Sequence, residues 1–190
     1  MWHRMALGKI AGLNLLMVIG IMALCVYVAP VHAVTVTNNS DSGAGSLRQA
    51  IIDANELGGT QTISFSGTFG TDKPIILLSD LPTMIFTPTF DISGATGTVM
   101  VKDGTMNSTP AIIFDGGGTL ELSTGASMTN SSMLTVGNTG TATLKVTNGG
   151  TMNSNTTIIA NNSGSTGNVT VDGANSKWTV NTLDNTYVGY

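Results

Sequence analysis

The sequence is poor in the side chains that carry most enzyme chemistry. Its 190 residues include one cysteine and two histidines, and all three, Cys25, His3 and His32, lie within the first 33 residues. Beyond residue 33 the chain therefore offers no disulfide, no Ser-His-Asp or Cys-His catalytic group, and no zinc site built from His or Cys. We accordingly predict no catalytic residue, no metal ligand and no cofactor.

Charged residues are also scarce, at 9% of the chain. After residue 33 there are five basic and eleven acidic side chains, which give a net charge of −6. The basic residues are separated from one another and form no patch that could neutralise a row of phosphates, so we predict no nucleic-acid partner. With a mean hydropathy of +0.25, the chain is too apolar to belong to the disordered class.

The longest apolar run lies at the N-terminus. Two basic residues precede residues 10–28, which are almost wholly apolar, and the sequence PVHA then supplies a signal-peptidase pattern. We predict a signal peptide over residues 1–33 and a mature chain that begins at Val34. An uncleaved anchor is the alternative, because 19 apolar residues are long enough to span a bilayer. In either case the rest of the chain is exported.

Internal repetition is the strongest signal after the leader. From Gly97 the chain restarts four times, and each unit has an apolar-x-apolar pair, a glycine turn and a large apolar residue. The pairs are Val99/Val101, Leu120/Leu122, Leu144/Val146 and Val169/Val171; the turns hold Gly104, Gly125, Gly149 and Gly173; the large residues are Met106, Met128, Met152 and Trp178. A second apolar pair closes three units: Ile112/Phe114, Leu134/Val136 and Ile158/Ala160.

The spacing of these units predicts a solenoid. The steps from Val101 to Leu122, Val146 and Val171 are 21, 24 and 25 residues. Short alternating strands with a period in the low twenties are typical of the coils of a β-helix, whose inward residues stack between neighbours. A β-sandwich of hairpins and a propeller are the alternatives; a sandwich would not require the same residue class at the same phase of each unit. We therefore predict an all-β, right-handed parallel β-helix with repeats over 97–190.

The region 34–96 is predicted to form an N-terminal cap and the first coils, and it contains one helix. In the segment SGAGSLRQAIIDAN (42–55), one apolar stripe consists of Leu47, Ala50, Ile51 and Ala54. Ser46 and Gln49 form a capping-box pattern, and Gly58-Gly59 stops the helix. We expect it to cover the open end of the first coil, with Arg48, Asp53 and Glu56 outward.

Two segments carry a family resemblance. Residues 34–65 (VTVTNNSDSGAGSLRQAIIDANELGGTQTISF) resemble the N-terminal segment of many bacterial surface and secreted right-handed β-helix proteins. Within residues 133–190, LTVGNTGTATLKVTNGGTMNSN and GNVTVDGANSKWTV resemble the short repeat of autotransporter-type (type V secretion) passenger proteins. This resemblance implies an extracellular β-helix stalk, often adhesive. It implies no catalytic residues. A host or environmental glycan or protein surface is the partner expected for the Thr, Asn and Ser of the outer face; the alternative is that these residues are only the solvated side of the strands.

The chain departs from that family at its C-terminus. Autotransporters usually end in an outer-membrane translocator barrel, whereas this sequence stops at Tyr190 within a repeat, without barrel strands or a cap. We therefore expect an incomplete passenger: a fragment, a truncated reading frame, or one partner of a split system. A passenger at the cell surface or in the medium is the expected location, and a truly truncated chain would stay in the periplasm.

A fragment of a carbohydrate-active enzyme is the alternative function, because polysaccharide lyases and hydrolases share the predicted architecture. Lyases on this fold need clustered Asp for Ca²⁺ and a basic residue, and hydrolases need close carboxylates. The basic residues after the leader are Arg48, Lys73, Lys102, Lys145 and Lys177, and no two acidic residues are adjacent. Asp103, Asp115 and Asp172 occupy different turn positions. We therefore predict a chain that is not catalytic.

Overall fold

A computed structural model of the chain describes residues 33–181 and 186–189. The predicted signal peptide lies outside these residues except for Ala33, which opens the first strand, so its cleavage stays a prediction. Tyr190 also lies outside them. Within the described residues, no helix is both long and apolar enough to cross a membrane.

The residues that the structure describes form one helix and eighteen short strands. They are β1 (Ala33–Val36), α1 (Leu47–Leu57), β2 (Thr60–Phe65), β3 (Gly67–Thr68), β4 (Ile75–Ile76), β5 (Thr87–Asp91), β6 (Ala95–Thr96), β7 (Val99–Lys102), β8 (Thr105–Ser108), β9 (Ile112–Asp115), β10 (Thr119–Ser123), β11 (Ser127–Asn130), β12 (Met133–Val136), β13 (Thr141–Thr147), β14 (Thr151–Ser154), β15 (Thr156–Ile159), β16 (Thr166–Asp172), β17 (Lys177–Val180) and β18 (Thr186–Val188).

The strands form the faces of a parallel β-helix of about six coils. A seven-stranded sheet has the order β1-β2-β5-β9-β12-β15-β18, a five-stranded sheet the order β4-β7-β10-β13-β16, and a four-stranded sheet the order β8-β11-β14-β17. A small pair, β3-β6, lies beside them. Strands of residues 34–96 and of residues 97–190 share the same sheets, so the first coils and the repeats are continuous. The predicted fold class is confirmed.

The stacking register confirms most of the inward columns read from the repeats. Leu122 pairs with Val101 on one side and with Val146 on the other, and Val146 pairs in turn with Val171. The large apolar residues form a second column, in the order Met106, Met128, Met152 and Trp178. The three methionines are almost completely buried, so they fill the core, where an unbranched, adaptable side chain packs well.

Aromatic rings fill the core behind the seven-stranded sheet. Phe90 and Phe114 pair in register with ring centroids 5.3 Å apart, and Phe65 stacks diagonally on Phe90 at 6.4 Å. Phe69 meets the edge of Phe65 at 5.9 Å. All four rings are buried, so four of the five phenylalanines stabilise the first coils through contacts between rings.

The prediction of Ile158/Ala160 as an inward pair is wrong by one residue. Thr157 lies below Leu134, and Ile159 lies below Val136. Ala160 instead bends out of the strand in a left-handed conformation (φ 59°). Thr157 is fully buried, and the hydrogen bond between its hydroxyl and Ser154 Oγ, 2.9 Å away, satisfies the polar group there. A buried threonine that hydrogen-bonds locally breaks the apolar pattern from which the pair was predicted.

The predicted glycine turns form the corner between the five-stranded and four-stranded sheets. In three of the four turns the residue before the glycine is left-handed: Asp103 (φ 57°), Thr124 (φ 47°) and Asn148 (φ 48°). Asp103 N–H donates to Thr124 O and Thr124 N–H to Asn148 O, both at 3.1 Å, and Asn148 N–H donates to Asp172 O at 3.3 Å. The corners of successive coils are therefore joined by a continuous row of backbone hydrogen bonds.

Helix α1 closes the N-terminal end, as predicted. Leu47, Ala50, Ile51 and Ala54 are its buried residues and belong to the common core. The helix ends at Gly58, whose N–H donates to Ala54 O at 3.0 Å.

Only half of the predicted capping box forms at the start of helix α1. Gln49 N–H donates to Ser46 Oγ at 3.2 Å, as an N-cap requires. The Gln49 side chain donates instead to Asp53 Oδ1, and Ser46 N–H donates to Gly43 O. The helix therefore begins where predicted, but Gln49 does not return to cap it.

Candidate functional site

One group of polar contacts lies between helix α1 and the first coil. Residues 81–84 run along β8, where Leu81 and Met84 donate backbone hydrogen bonds to Thr105 O and Asn107 O. Their other edge faces the helix and the loop before it. Four side chains there bond the backbone of residues 74–85: Asn39, Asp41, Arg48 and Asn55. We call these four residues the edge clamp.

Arg48 is the centre of the edge clamp. Its Nη1 donates to Asp80 O at 2.7 Å, and its Nη2 donates to Ser79 O and to Asp41 Oδ1, each at 2.8 Å. Its Nε donates to Asp41 O at 3.1 Å. The Arg48 and Asp41 side chains are 15% and 18% exposed. The prediction that Arg48 points outward is therefore wrong, because its guanidinium folds over the sheet edge and binds carbonyls there.

Asp41 is held as a carboxylate within the edge clamp. The hydrogen bond from Arg48 lowers the pKa of the Asp41 carboxyl, the Leu78 N–H and the positive charge of Arg48 add to this effect, and burial opposes it. Asp41 Oδ1 accepts from Leu78 N–H at 3.0 Å. The loop before helix α1 is therefore tied to the first coil by a charge-assisted contact.

Asn55 takes the place of a peptide group from a neighbouring strand. Its Nδ2 donates to Thr83 O, and its Oδ1 accepts from Ile85 N–H, both at 3.0 Å. Asn39 Nδ2 donates to Pro74 O at 3.1 Å. The edge clamp therefore satisfies donors and acceptors that an edge strand would otherwise present to another chain.

A second polar site lies at the corner that follows β9. The Asp115 carboxylate accepts from Asn138 N–H at 3.2 Å, Thr139 N–H at 3.0 Å, Thr139 Oγ1 at 2.7 Å and Gly140 N–H at 2.8 Å. Burial alone would raise the pKa of this carboxyl, but the hydrogen bonds from Thr139, Gly140 and Gly116 outweigh it and hold the pKa below its ordinary value. Asp115 thus fixes the turn of the next coil.

The three aspartates considered as an enzymatic set do not converge. Asp103 and Asp172 lie at the corner between the five-stranded and four-stranded sheets, three coils apart, which is roughly 14 Å at about 4.8 Å per coil. Asp115 lies at a different corner, at the end of β9. Across residues 33–181 and 186–189, no three His, Cys, Asp or Glu side chains are grouped so that they could hold a metal ion.

The lysines are dispersed over the fold. On the five-stranded sheet, Lys145 pairs in register with Glu121, which also accepts from Thr147 Oγ1 at 2.5 Å, and Lys102 pairs with Ser123. Lys177 lies on the four-stranded sheet opposite Thr151. Lys73 belongs to a surface hollow of about 190 Å³ that is lined by residues 68–73.

No family model, curated protein or solved structure matches the chain. The fold is therefore established by the stacking register alone.

Sequence reasoning found the helix but missed the edge clamp. Asn55 bonds residues 28 and 30 positions away, and Arg48 bonds residues 31 and 32 positions away. No local pattern records partners at such separations. Asp115 had a local signal, the sequence DGGG, which predicts a turn but does not indicate that the carboxylate binds the turn of the next coil.

Proposed function

We propose that this chain is an exported β-helix passenger of the autotransporter type, and that it serves as a structural stalk or adhesive module without catalytic activity. The observation that carries the proposal is the unbroken register of the coils. The seven-stranded sheet runs without a break from β1 in the first coil to β18 in the last described one, and the columns through Val101 and Met106 keep one residue class in each of the four repeats. A stack of this kind suits a rigid spacer that presents a repeated surface.

The dimensions of the stack support a spacer role. Adjacent strands of a sheet lie about 4.8 Å apart, so the six steps from β1 to β18 give a rod of roughly 29 Å. The length of a solenoid grows by one step with every added coil, while its width stays constant. A passenger built this way holds whatever lies at its far end away from the membrane.

Two charged residues that form several hydrogen bonds, Arg48 and Asp115, also support a structural role. Arg48 makes four hydrogen bonds, all to the loop before helix α1 or to the first coil. The Asp115 carboxylate binds the corner of the next coil. In both cases the ionised group forms its hydrogen bonds with neighbouring elements of the stack.

The outer surface of the four-stranded sheet is the proposed adhesive surface. Its outward side chains are mostly hydroxyls and amides in two columns: Thr105, Ser127, Thr151 and Lys177 in one, and Asn107, Thr129 and Asn153 in the other. The proposed partners are a glycan or protein surface of a host or of the environment. A translocator supplied outside this sequence would complete the export.

Two assays on the full exported chain distinguish catalysis from binding. It is incubated with polygalacturonate and Ca²⁺, and both product absorbance and retention on the polymer or on a glycan array are recorded. The proposal predicts no unsaturated product. Product that accumulates with the wild-type chain would overturn the non-catalytic assignment.

Export is tested with a reporter. Alkaline phosphatase, which needs disulfides and is active only outside the cytoplasm, is fused after the last residue of the full chain. We expect phosphatase activity in the wild-type fusion and none when residues 10–28 are deleted. A full-length wild-type fusion that remains inactive would contradict export.

A further inference from the structure

The dipeptide Asn148-Gly149 is the one Asn-Gly pair in the chain. It lies at the corner between β13 and β14, where Asn148 is exposed and left-handed (φ 48°). Gly149 is also left-handed (φ 85°). Solvent therefore reaches the Asn148 side chain, and glycine gives the backbone after it the freedom to rotate.

This pair is the substrate of a known intramolecular reaction. The backbone nitrogen of Gly149 attacks Cγ of Asn148, a C–N bond forms, the Cγ–Nδ2 bond breaks, and ammonia leaves after solvent has moved the amide proton to it. Water then adds to either carbonyl of the resulting succinimide, which opens to aspartate or isoaspartate. A glycine at the second position favours ring closure because it has no side chain to obstruct the attack.

Asn148 and Gly149 lie in the fourth coil (β12, β13 and β14), and the fifth coil (β15, β16 and β17) holds their backbone in place. Gly149 N–H, the group that would attack, donates to Ser176 Oγ at 3.1 Å. The Ser176 hydroxyl is itself fixed, since it donates to Asp172 O at 2.6 Å. Gly173 packs closely on Asn148: a β-carbon added to Gly173 would lie 3.0 Å from the backbone nitrogen of Asn148.

We propose that Asn148 is the deamidation site of this chain, and that Ser176 on the next coil controls the rate. While the coils are stacked, the Gly149 nitrogen is oriented toward Ser176 and its proton is engaged. When the corner opens, the nitrogen is free to attack. The rate of deamidation at Asn148 therefore depends on how often the fourth and fifth coils separate at this corner.

The product would weaken the stack. Isoaspartate adds a methylene to the main chain at a point where Asn148 O accepts from Thr124 N–H and Asn148 N–H donates to Asp172 O. The new carboxylate would also lie at the same corner as Asp172. Contacts to the third and the fifth coils are therefore lost together.

The test is peptide mapping by mass spectrometry after the full chain has aged at mildly alkaline pH. We expect Asn148 to exchange its amide for a carboxyl before any other asparagine does. Asn175 is an internal control, because it is exposed and left-handed (φ 64°) like Asn148 but is followed by serine. Conversion at Asn175 before Asn148 would overturn the proposal.

The role of Ser176 is tested with a matched pair of variants. Ser176→Ala removes the acceptor and should speed conversion of Asn148 several-fold, whereas Ser176→Thr keeps a hydroxyl and should stay near the wild-type rate. Equal rates in all three proteins would contradict control by Ser176. If Ser176→Ala fails to fold, wild-type protein in native buffer is compared with wild-type protein in urea. Faster conversion in urea supports protection by the stack, and an equal rate overturns it.

Discussion

At the scale of single residues, the coils depend on side chains that act on a neighbouring coil. Asp115 fixes the turn of residues 138–140, and Ser176 holds Gly149. Thr124 instead strains its corner, because a β-branched residue there adopts a left-handed conformation. The equivalent left-handed positions of neighbouring coils are Asp103 and Asn148. Individual residues at the corners therefore both stabilise and strain the stack.

Replacing Thr124 by Asn should stabilise the protein. Thr124 is exposed and left-handed (φ 47°), and Asn tolerates that conformation better, so we expect a gain of about 0.5–1 kcal/mol in the free energy of unfolding. Chemical denaturation measures it. Thr141→Asn is the control, since Thr141 is an exposed strand residue; an equal gain there would show that backbone strain is not the cause.

Replacing Asp115 by Asn should destabilise the protein by about 1.5–3 kcal/mol, because the carboxylate accepts several charge-assisted hydrogen bonds. The pKa of Asp115 is lowered on folding, so its contribution is complete above the unfolded pKa of about 3.9 and is lost as pH falls through the folded value. Unfolding curves of both proteins across this range measure the difference.

A matched control for Asp115 is available in the preceding coil. Asp91 pairs with Asp115 in register and accepts from Ser93 N–H within its own turn. Asp91→Asn should cost less than Asp115→Asn, because Asp91 does not hold the turn of another coil through such a set of bonds. Equal losses, or a loss at Asp115 that does not shrink as the solution is acidified below the unfolded pKa, would contradict the role given to this carboxylate.

At the scale of elements, helix α1 covers the apolar core, and the edge clamp forms hydrogen bonds with the backbone groups at the edge of the first coil. The apolar stripe covers the first coil, while Asn55 and Arg48 supply hydrogen bonds in place of a strand. The stripe was predictable because helical spacing is local. The edge clamp was not, because its partners are brought together only when the first coil closes.

Ile51→Asp tests the helix as a lid. Ile51 is fully buried in the core, so an aspartate there loses apolar contacts and buries a charge without a partner. We expect a loss of about 3–5 kcal/mol, or aggregation. Ile52→Asp is the control, because Ile52 is only half-buried on the same helix and should cost less. Thermal unfolding and light scattering distinguish them; an unchanged Ile51→Asp protein would contradict the lid.

At the scale of the whole molecule, repetition made the fold predictable. The columns through Val101 and Met106 were read correctly because each coil repeats the same residue class at the same phase. The error at Ile158/Ala160 arose where a buried Thr157 satisfies its hydroxyl inside the core. Function is less accessible from the sequence, because the proposed stalk role requires no catalytic constellation, and the polar outer columns follow the general composition of the chain.

The register of the stack is tested most directly by engineered cysteines, since the chain has no native cysteine after residue 33. Thr129 pairs with Asn153 in the next coil and with Asn107 in the previous one. The α-carbons of Thr129 and Asn153 are therefore about 4.8 Å apart, within disulfide range, and those of Asn107 and Asn153 about 9.6 Å apart, beyond it. Mild oxidation of the two double-cysteine variants, followed by peptide mapping, is the measurement. Thr129→Cys/Asn153→Cys should form an intramolecular disulfide and Asn107→Cys/Asn153→Cys should form none; the opposite result would contradict the stack of coils.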